Sequence, residues 1–190
     1  MPECNVAILS DYQLRDEILR REPVDGIRIV GVDGPSGGGK STLARRLADL
    51  TSAPMVEVDD FLSWDDFAGW WPRFDAQVLT PLLAGRDAHY QVRDWAGDWR
   101  GGSLAGWKAV PWPPLVIVEG VTCTRRDTVG RLAYAIWVEA DPAVRLARGL
   151  ARDGDEHRDL WQRWMGEEAA FFAADGTRDR ADLRLDTSDR

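Results

Sequence analysis

Asparagine occurs once in these 190 residues, at Asn5, and cysteine twice, at Cys4 and Cys123. Two thiols offer no disulfide framework, so a reduced, cytoplasmic protein is the expectation. The lone asparagine leaves no place for the Asn-Lys-x-Asp element by which guanine-specific GTPases read their base. Lysine and arginine number 24 against 32 acids, a formal charge of −8. A nucleic-acid or anionic-membrane partner would need a basic face, so neither is expected. No apolar run approaches bilayer length, and the opening MPECNVAILSDYQLRDE carries acids where a secretory signal is basic. Repeats are absent, as is any linker long enough to divide the chain.

What remains reads as one α/β domain over residues 1–190, large enough to bury its own core. Short β-branched or apolar runs at 27–32, 55–58, 115–118 and 133–138 alternate with helical patterns. That alternation predicts a central parallel sheet with helices on both faces. Residues 13–21 read as a peripheral amphipathic helix within an N-terminal segment, 1–24. The Gly-, Pro- and Trp-rich stretch 97–114 reads as a hairpin or lid-like excursion.

The run GPSGGGKS at 34–41 fills the pattern G-x-x-x-x-G-K-[ST] with Gly34, Gly39, Lys40 and Ser41. Its four glycines let the backbone take positive φ and approach a ligand, with successive N–H groups forming an anion nest. An apolar strand precedes the loop, and Leu43, Ala44, Leu47 and Leu50 follow at helical spacing. Strand, glycine loop and helix together make a phosphate-binding loop, expected to hold the phosphates of a nucleoside triphosphate through Gly34, Pro35, Ser36, Gly37, Gly38, Gly39, Lys40, Ser41 and Thr42. Lys40 would reach the β- and γ-phosphates and the Ser41 hydroxyl would meet Mg²⁺.

Such a loop alone does not separate hydrolysis from transfer. A small-molecule kinase also needs a carboxylate for the acceptor's proton and arginines for the moving phosphoryl group. In MVEVDDFLSW, Asp59 and Asp60 stand at a strand's carboxyl end, where open parallel sheets bind ligands. Strand alternation points them to opposite sides, so one of the two would reach the hydroxyl; the plainer alternative makes both of them turn formers. Glu119 closes PPLVIVEG, either beside Mg²⁺ or as a solvated strand end. After Asp141-Pro142, a cap and first turn, Arg145, Arg148 and Arg152 share one helix face. They read either as a solvated stripe or as a lid over the triphosphate, at about 141–158. Arg158 follows, within reach of an acceptor.

On GVDGPSGGGKST, VDDFL, FDAQVLTPLLAGRDAHYQVRDW, VIVEG and VEADPAVRLARGLARD, the chain resembles the uridine kinase-like branch of P-loop kinases over residues 27–188. The resemblance implies a three-layer α/β/α P-loop NTPase fold, MgATP as phosphoryl donor and a nucleoside-like small molecule as hydroxyl acceptor. It also implies that Asp59 is the general base, with Asp60 beside it, and that Arg148 and Arg152 are lid arginines, where one further family arginine is Gly149. Arg93, Asp94 and Trp95 match a segment that seats the nucleoside, although the family's tyrosine is Arg93 here. Arg158 resembles an arginine that contacts the nucleoside.

The aromatics Phe61, Trp64, Phe67, Trp70, Trp71 and Phe74 read equally as a ring-binding wall or as core. A nucleoside monophosphate or another hydroxyl compound is an alternative acceptor, with Arg73, Arg86 and Arg93 as candidate phosphate contacts. From another class, a nucleotide-dependent switch with no acceptor would show slow hydrolysis indifferent to any small molecule.

Overall fold

Parallel pairing organises the chain. In the computed structural model, which describes residues 10–189, five strands form one sheet in the order β2-β5-β1-β6-β7. They are β1 (Arg28–Asp33), β2 (Met55–Glu57), β5 (Leu115–Glu119), β6 (Tyr134–Glu139) and β7 (Leu183–Asp186). Every pairing in this sheet is parallel. An antiparallel hairpin, β3 (Ala88–Arg93) with β4 (Leu104–Val110), stands apart from it. Cys4 and Asn5 lie outside the described residues, whereas Cys123 is buried and free.

Alternation along the strands builds two cores. Val30, Val32, Leu115, Ile117, Ile136 and Val138 face α1 (Asp11–Arg20) and α2 (Lys40–Thr51), which contribute Leu14, Ile18, Leu43 and Leu47. Ile29, Val56, Val116 and Val118 face the opposite way. There they meet Phe61, Trp70 and, from a run made of α3 (Trp71–Phe74), a π-turn (Asp75–Leu79) and α4 (Thr80–Leu83), Phe74, Val78, Leu79 and Leu82. Trp164 of α6 (Arg158–Asp175) joins that second core. Two helical layers thus enclose a sheet buried on both faces, as a parallel sheet requires.

Three local expectations are corrected. The N-terminal helix begins at Asp11, not at residue 13, because Ser10 and Gln13 form a reciprocal capping box. The run at 55–58 leaves the sheet after Glu57: Val58–Asp60 is a 3₁₀ turn closed by the Phe61 N–H on the Val58 carbonyl at 2.8 Å. Asp59 and Asp60 are therefore turn residues, and strand alternation does not separate them. The segment 97–114 is half of a hairpin, since β4 pairs with residues well before it. The remaining elements are α5 (Pro142–Asp153) and α7 (Thr177–Arg180). Among the described residues no helix is long and apolar enough to cross a membrane.

Candidate active site

Strand order reverses direction at β1, which lies between β5 and β6, and the loops leaving β1, β2 and β5 open into one crevice there. A cavity of about 660 Å³ fills it. Its wall includes Ser36, Gly37, Gly39, Lys40, Ser41 and Thr42 of the glycine loop, Asp59 and Asp60 of the turn, Trp95, Glu119, Arg148 and Arg152. Most of the expected site residues converge on this one space.

The glycine loop is held from behind. Arg145 Nη1 donates to the Ser36 carbonyl at 3.3 Å, Arg148 Nη1 to the Gly37 carbonyl at 3.1 Å, and Thr187 Oγ1 to the Gly38 carbonyl at 2.9 Å. Fixing three successive carbonyls on the outer side leaves the inner side for amide donors. The first N–H groups of α2, at 40–42, have no partner inside the helix. Gly34 and Gly39 take φ of 133° and 94°, and a Cβ on Gly34 would collide with the Val138 backbone. Gly34, Pro35 and Gly38 form the back of the loop, not the cavity wall. Lys40, almost buried, rests its Nζ on the Pro35 carbonyl at 3.1 Å.

Three carboxylates surround that lysine. Asp33, fully buried at the end of β1, accepts from the amides of Gly34, Thr122 and Thr124 and from the Thr124 hydroxyl, at 2.6 to 2.9 Å. Burial pushes its pKa up to about 6 against those donors and Lys40. Glu119 accepts from Ser41 Oγ at 3.1 Å through Oε1, while Oε2 is buried without a partner. Burial raises Glu119 to about 7, opposed chiefly by Lys40. Asp59 is open to the cavity yet crowded by protein; that desolvation raises its pKa, opposed by Lys40 and then Arg152. An orphaned carboxylate oxygen beside a serine hydroxyl suits a divalent cation completed by phosphate and water oxygens, so Ser41 and Glu119 fit Mg²⁺.

Asp60 has a different role. Lys108 of the hairpin pairs with it at 2.7 Å, and the Tyr90 hydroxyl donates to it at 3.3 Å. Lys40 and Lys108 are the chain's two lysines, and each serves the crevice or its border.

Expectations for the acceptor segment need correction. Arg93 is buried behind the wall, bonding the Asp94 and Ser103 carbonyls and stacking on Trp95 at 4.5 Å. Asp94 caps its own turn through the Gly97 amide at 2.8 Å. Arg158 pairs with Asp155 at 2.9 Å, outside the cavity. The buried arginine bonds both carbonyls through Nη1 alone, with Nε and Nη2 buried without a partner, and the aspartate heading a turn is engaged locally. Trp95 alone of that group reaches the wall, its Nε1 on the Asp59 carbonyl at 2.8 Å.

Of the six clustered aromatics only Trp64 lines the cavity; the others belong to or pack on the core. Its ring meets Trp164 at 5.1 Å, Trp99 at 5.8 Å and Trp161 at 6.0 Å. Trp99, from the hairpin tip, stacks on His157 at 4.5 Å. Four of these five wall tryptophans thus form a connected group drawn from three separate segments. Trp99, Trp161 and Trp164 carry no local signal, because each arrives from an element distant from the loop, and neither does Glu168 of α6, which supports the loop. Asp153 stands beside Arg152 on α5 and was missed. Asp33, the acid immediately before the loop, is a further local signal.

The arrangement has counterparts. A possible uridine kinase from Bacillus stearothermophilus superposes with a TM-score of 0.69 at 18% identity, over 93% of this chain and 97% of that one. A candidate fructose transport system kinase from Silicibacter sp. TM1040 gives 0.70 at 24%, over 93% and 99%. No family model and no curated protein matches the chain. At these identities the likeness is one of fold: this chain shares with both a three-layer α/β/α fold built on a central parallel sheet.

Proposed function

We propose that this protein is an ATP-dependent kinase that moves the γ-phosphoryl group of MgATP to a hydroxyl of a small nucleoside-like molecule. One observation carries the reading: a carboxylate with room beside it, Asp59, shares a cavity with a complete phosphate loop. Both similar folds are named as kinases, which agrees with it.

Lys40, the loop amides, Arg148 and Arg152 bind and neutralise the triphosphate. Ser41 and Glu119 would hold Mg²⁺, which would supply neutralisation of the phosphate charge. The acceptor hydroxyl oxygen bonds to the γ-phosphorus as the bond to the β,γ-bridging oxygen breaks, and the hydroxyl proton passes to Asp59. The tryptophans offer flat surfaces to a ring and exclude water, which favours transfer over hydrolysis.

The cavity's cations are Lys40, Arg45, Arg148 and Arg152, all in the loop, α2 or α5. Arg73, a candidate contact for a second phosphate, is spent on the carbonyls of Gln91, Asp60 and Phe61. Arg86 and Arg93 lie off the wall. An acceptor without a phosphate therefore fits better than a nucleoside monophosphate.

The test is ADP release with MgATP against nucleosides, nucleoside monophosphates and other hydroxylated ring compounds, with Asp59→Asn as control. Stimulation by an unphosphorylated acceptor, lost in the variant, is the expected result. Slow release indifferent to every acceptor and to the variant would sink the reading.

A further inference from the structure

The arginines of α5 nearest the glycine loop are anchored. Arg145 is tied to Glu168 at 3.3 Å and Arg148 to the Thr187 carbonyl at 2.7 Å. Arg152 is different, since its side chain is two-thirds exposed at the end of the helix, where a guanidinium ordinarily samples many rotamers. Its Nε nevertheless bonds Asp153 Oδ1 at 2.8 Å and its Nη2 bonds Oδ2 at 2.9 Å, a two-pronged fork that leaves Nη1 outside the pair.

An exposed ion pair between neighbours has little value by itself. This one has a buried backing. Trp161 of α6 is 1% exposed, and its Nε1 donates to Asp153 Oδ2 at 3.0 Å. The Arg152 guanidinium carbon lies 5.6 Å from the centre of the same indole ring. A glycine makes room for that ring: a Cβ on Gly149 would stand 2.5 Å from Trp161 Cζ2. The position where the resemblance leads one to expect a further arginine thus admits an indole instead. Gly149, Trp161 and Asp153 converge on one flexible cation that faces the phosphate loop.

We propose that Asp153 is the positioning residue of Arg152: backed by Trp161, it fixes the guanidinium over the cavity so that charge developing on the transferring phosphoryl group meets a preorganised cation. The inference rests on the kinase reading above. Preorganised charge acts chiefly in the transition state, so removing the fork affects turnover and leaves the binding of MgADP, which lacks the transferring group, alone.

The test uses the full chain carrying Asp153→Asn, Arg152→Ala, both together, or Trp161→Phe. Turnover is measured with saturating MgATP and acceptor, and affinity is measured for MgADP with and without aluminium fluoride, a mimic of the transferring phosphoryl group. Asp153→Asn should lower turnover about tenfold to a hundredfold and weaken the aluminium fluoride complex by a like factor, with MgADP affinity within about twofold of wild type. In the Arg152→Ala background it should have no further effect. Trp161→Phe, which loses the N–H together with part of the ring's packing, should give a loss in the same direction.

Equal losses from Asp153→Asn with and without Arg152 would overturn the proposal, and so would a fall in MgADP affinity as large as that for the mimic. A wild-type chain that binds MgADP but phosphorylates no acceptor would count against the kinase reading alone, because the mimic needs no acceptor. An Asp153→Asn chain that binds the mimic as tightly as wild type would overturn the positioning role with the kinase reading intact.

Discussion

The amide of Ser36 in the glycine loop donates to Glu168 Oε1 at 2.8 Å, joining the loop to a helix that begins more than a hundred residues later. Trp164 Nε1 donates to the same oxygen at 2.8 Å, and Arg145 pairs with the other at 3.3 Å. Glu168 is 1% exposed, so the loop's rear support is a buried ion pair with every contact inward.

Removing one partner of such a pair strands the other. Glu168→Ala leaves Arg145 buried without its acid and the Ser36 amide without an acceptor, while Trp164 Nε1 keeps only Ser36 Oγ at 3.1 Å, at a cost of about 3–5 kcal/mol. Glu168→Gln keeps an acceptor oxygen and should lose less. Urea unfolding should show both midpoints shifted in that order, and MgADP affinity should fall with them as the loop loosens. A wild-type midpoint in Glu168→Ala would show that the pair does not support the fold.

Glu119 makes stability depend on pH. Its folded pKa of about 7 lies above the ordinary value of 4.5. Between those values the native state holds a proton that the unfolded state has released, so stability falls as pH rises through the window. Stability from this group is complete below about pH 4.5 and gone above about pH 7. The shift corresponds to roughly 3 kcal/mol. Nucleotide-free Glu119→Gln should therefore gain on wild type as pH goes from 5 to 8, by thermal or urea unfolding. The same variant should lose Mg²⁺-dependent nucleotide affinity. A difference between the two proteins that is flat with pH would contradict the burial argument.

Much of this was legible because it is local. The glycine loop, the strand before it and the helix after it lie in one stretch, and their chemistry is fixed by backbone conformation and one lysine. The hydrophobic runs likewise placed four of the five sheet strands. β7 was not read, because its alternation, with Leu183 and Leu185 inward, spans only four residues at a sheet edge. The acceptor side was read poorly for a physical reason: it is assembled from side chains brought together only by folding. Trp64, Trp99 and Trp161 come from three segments, and burial tendency alone does not separate a cavity wall from a core. Arg93 looked like a contact, but a buried guanidinium at a strand's end had nearer carbonyls to bond.

Asp59 and Asp60 are neighbours in sequence, and their partners separate their roles. Asp60 is engaged by Lys108 and Tyr90, both from the hairpin, and burial together with Asp60 pushes the Tyr90 phenol well up. Its work is to dock the hairpin, which carries Trp95 and Trp99 to the cavity. Asp59 is opposed by Lys40 and Arg152 and stands open to an acceptor. Asp59→Asn should lower turnover by about 10²–10⁴-fold, the usual contribution of a general base, and leave MgATP affinity nearly unchanged. Asp60→Asn should instead raise the acceptor KM as the hairpin loosens, with turnover at saturation falling less than tenfold, roughly the effect of lost positioning. Lys108→Ala should resemble Asp60→Asn, because it breaks the same contact from the other side. If Asp60→Asn abolished turnover while Asp59→Asn spared it, the two roles would be exchanged, and the acceptor would have to enter from the hairpin side.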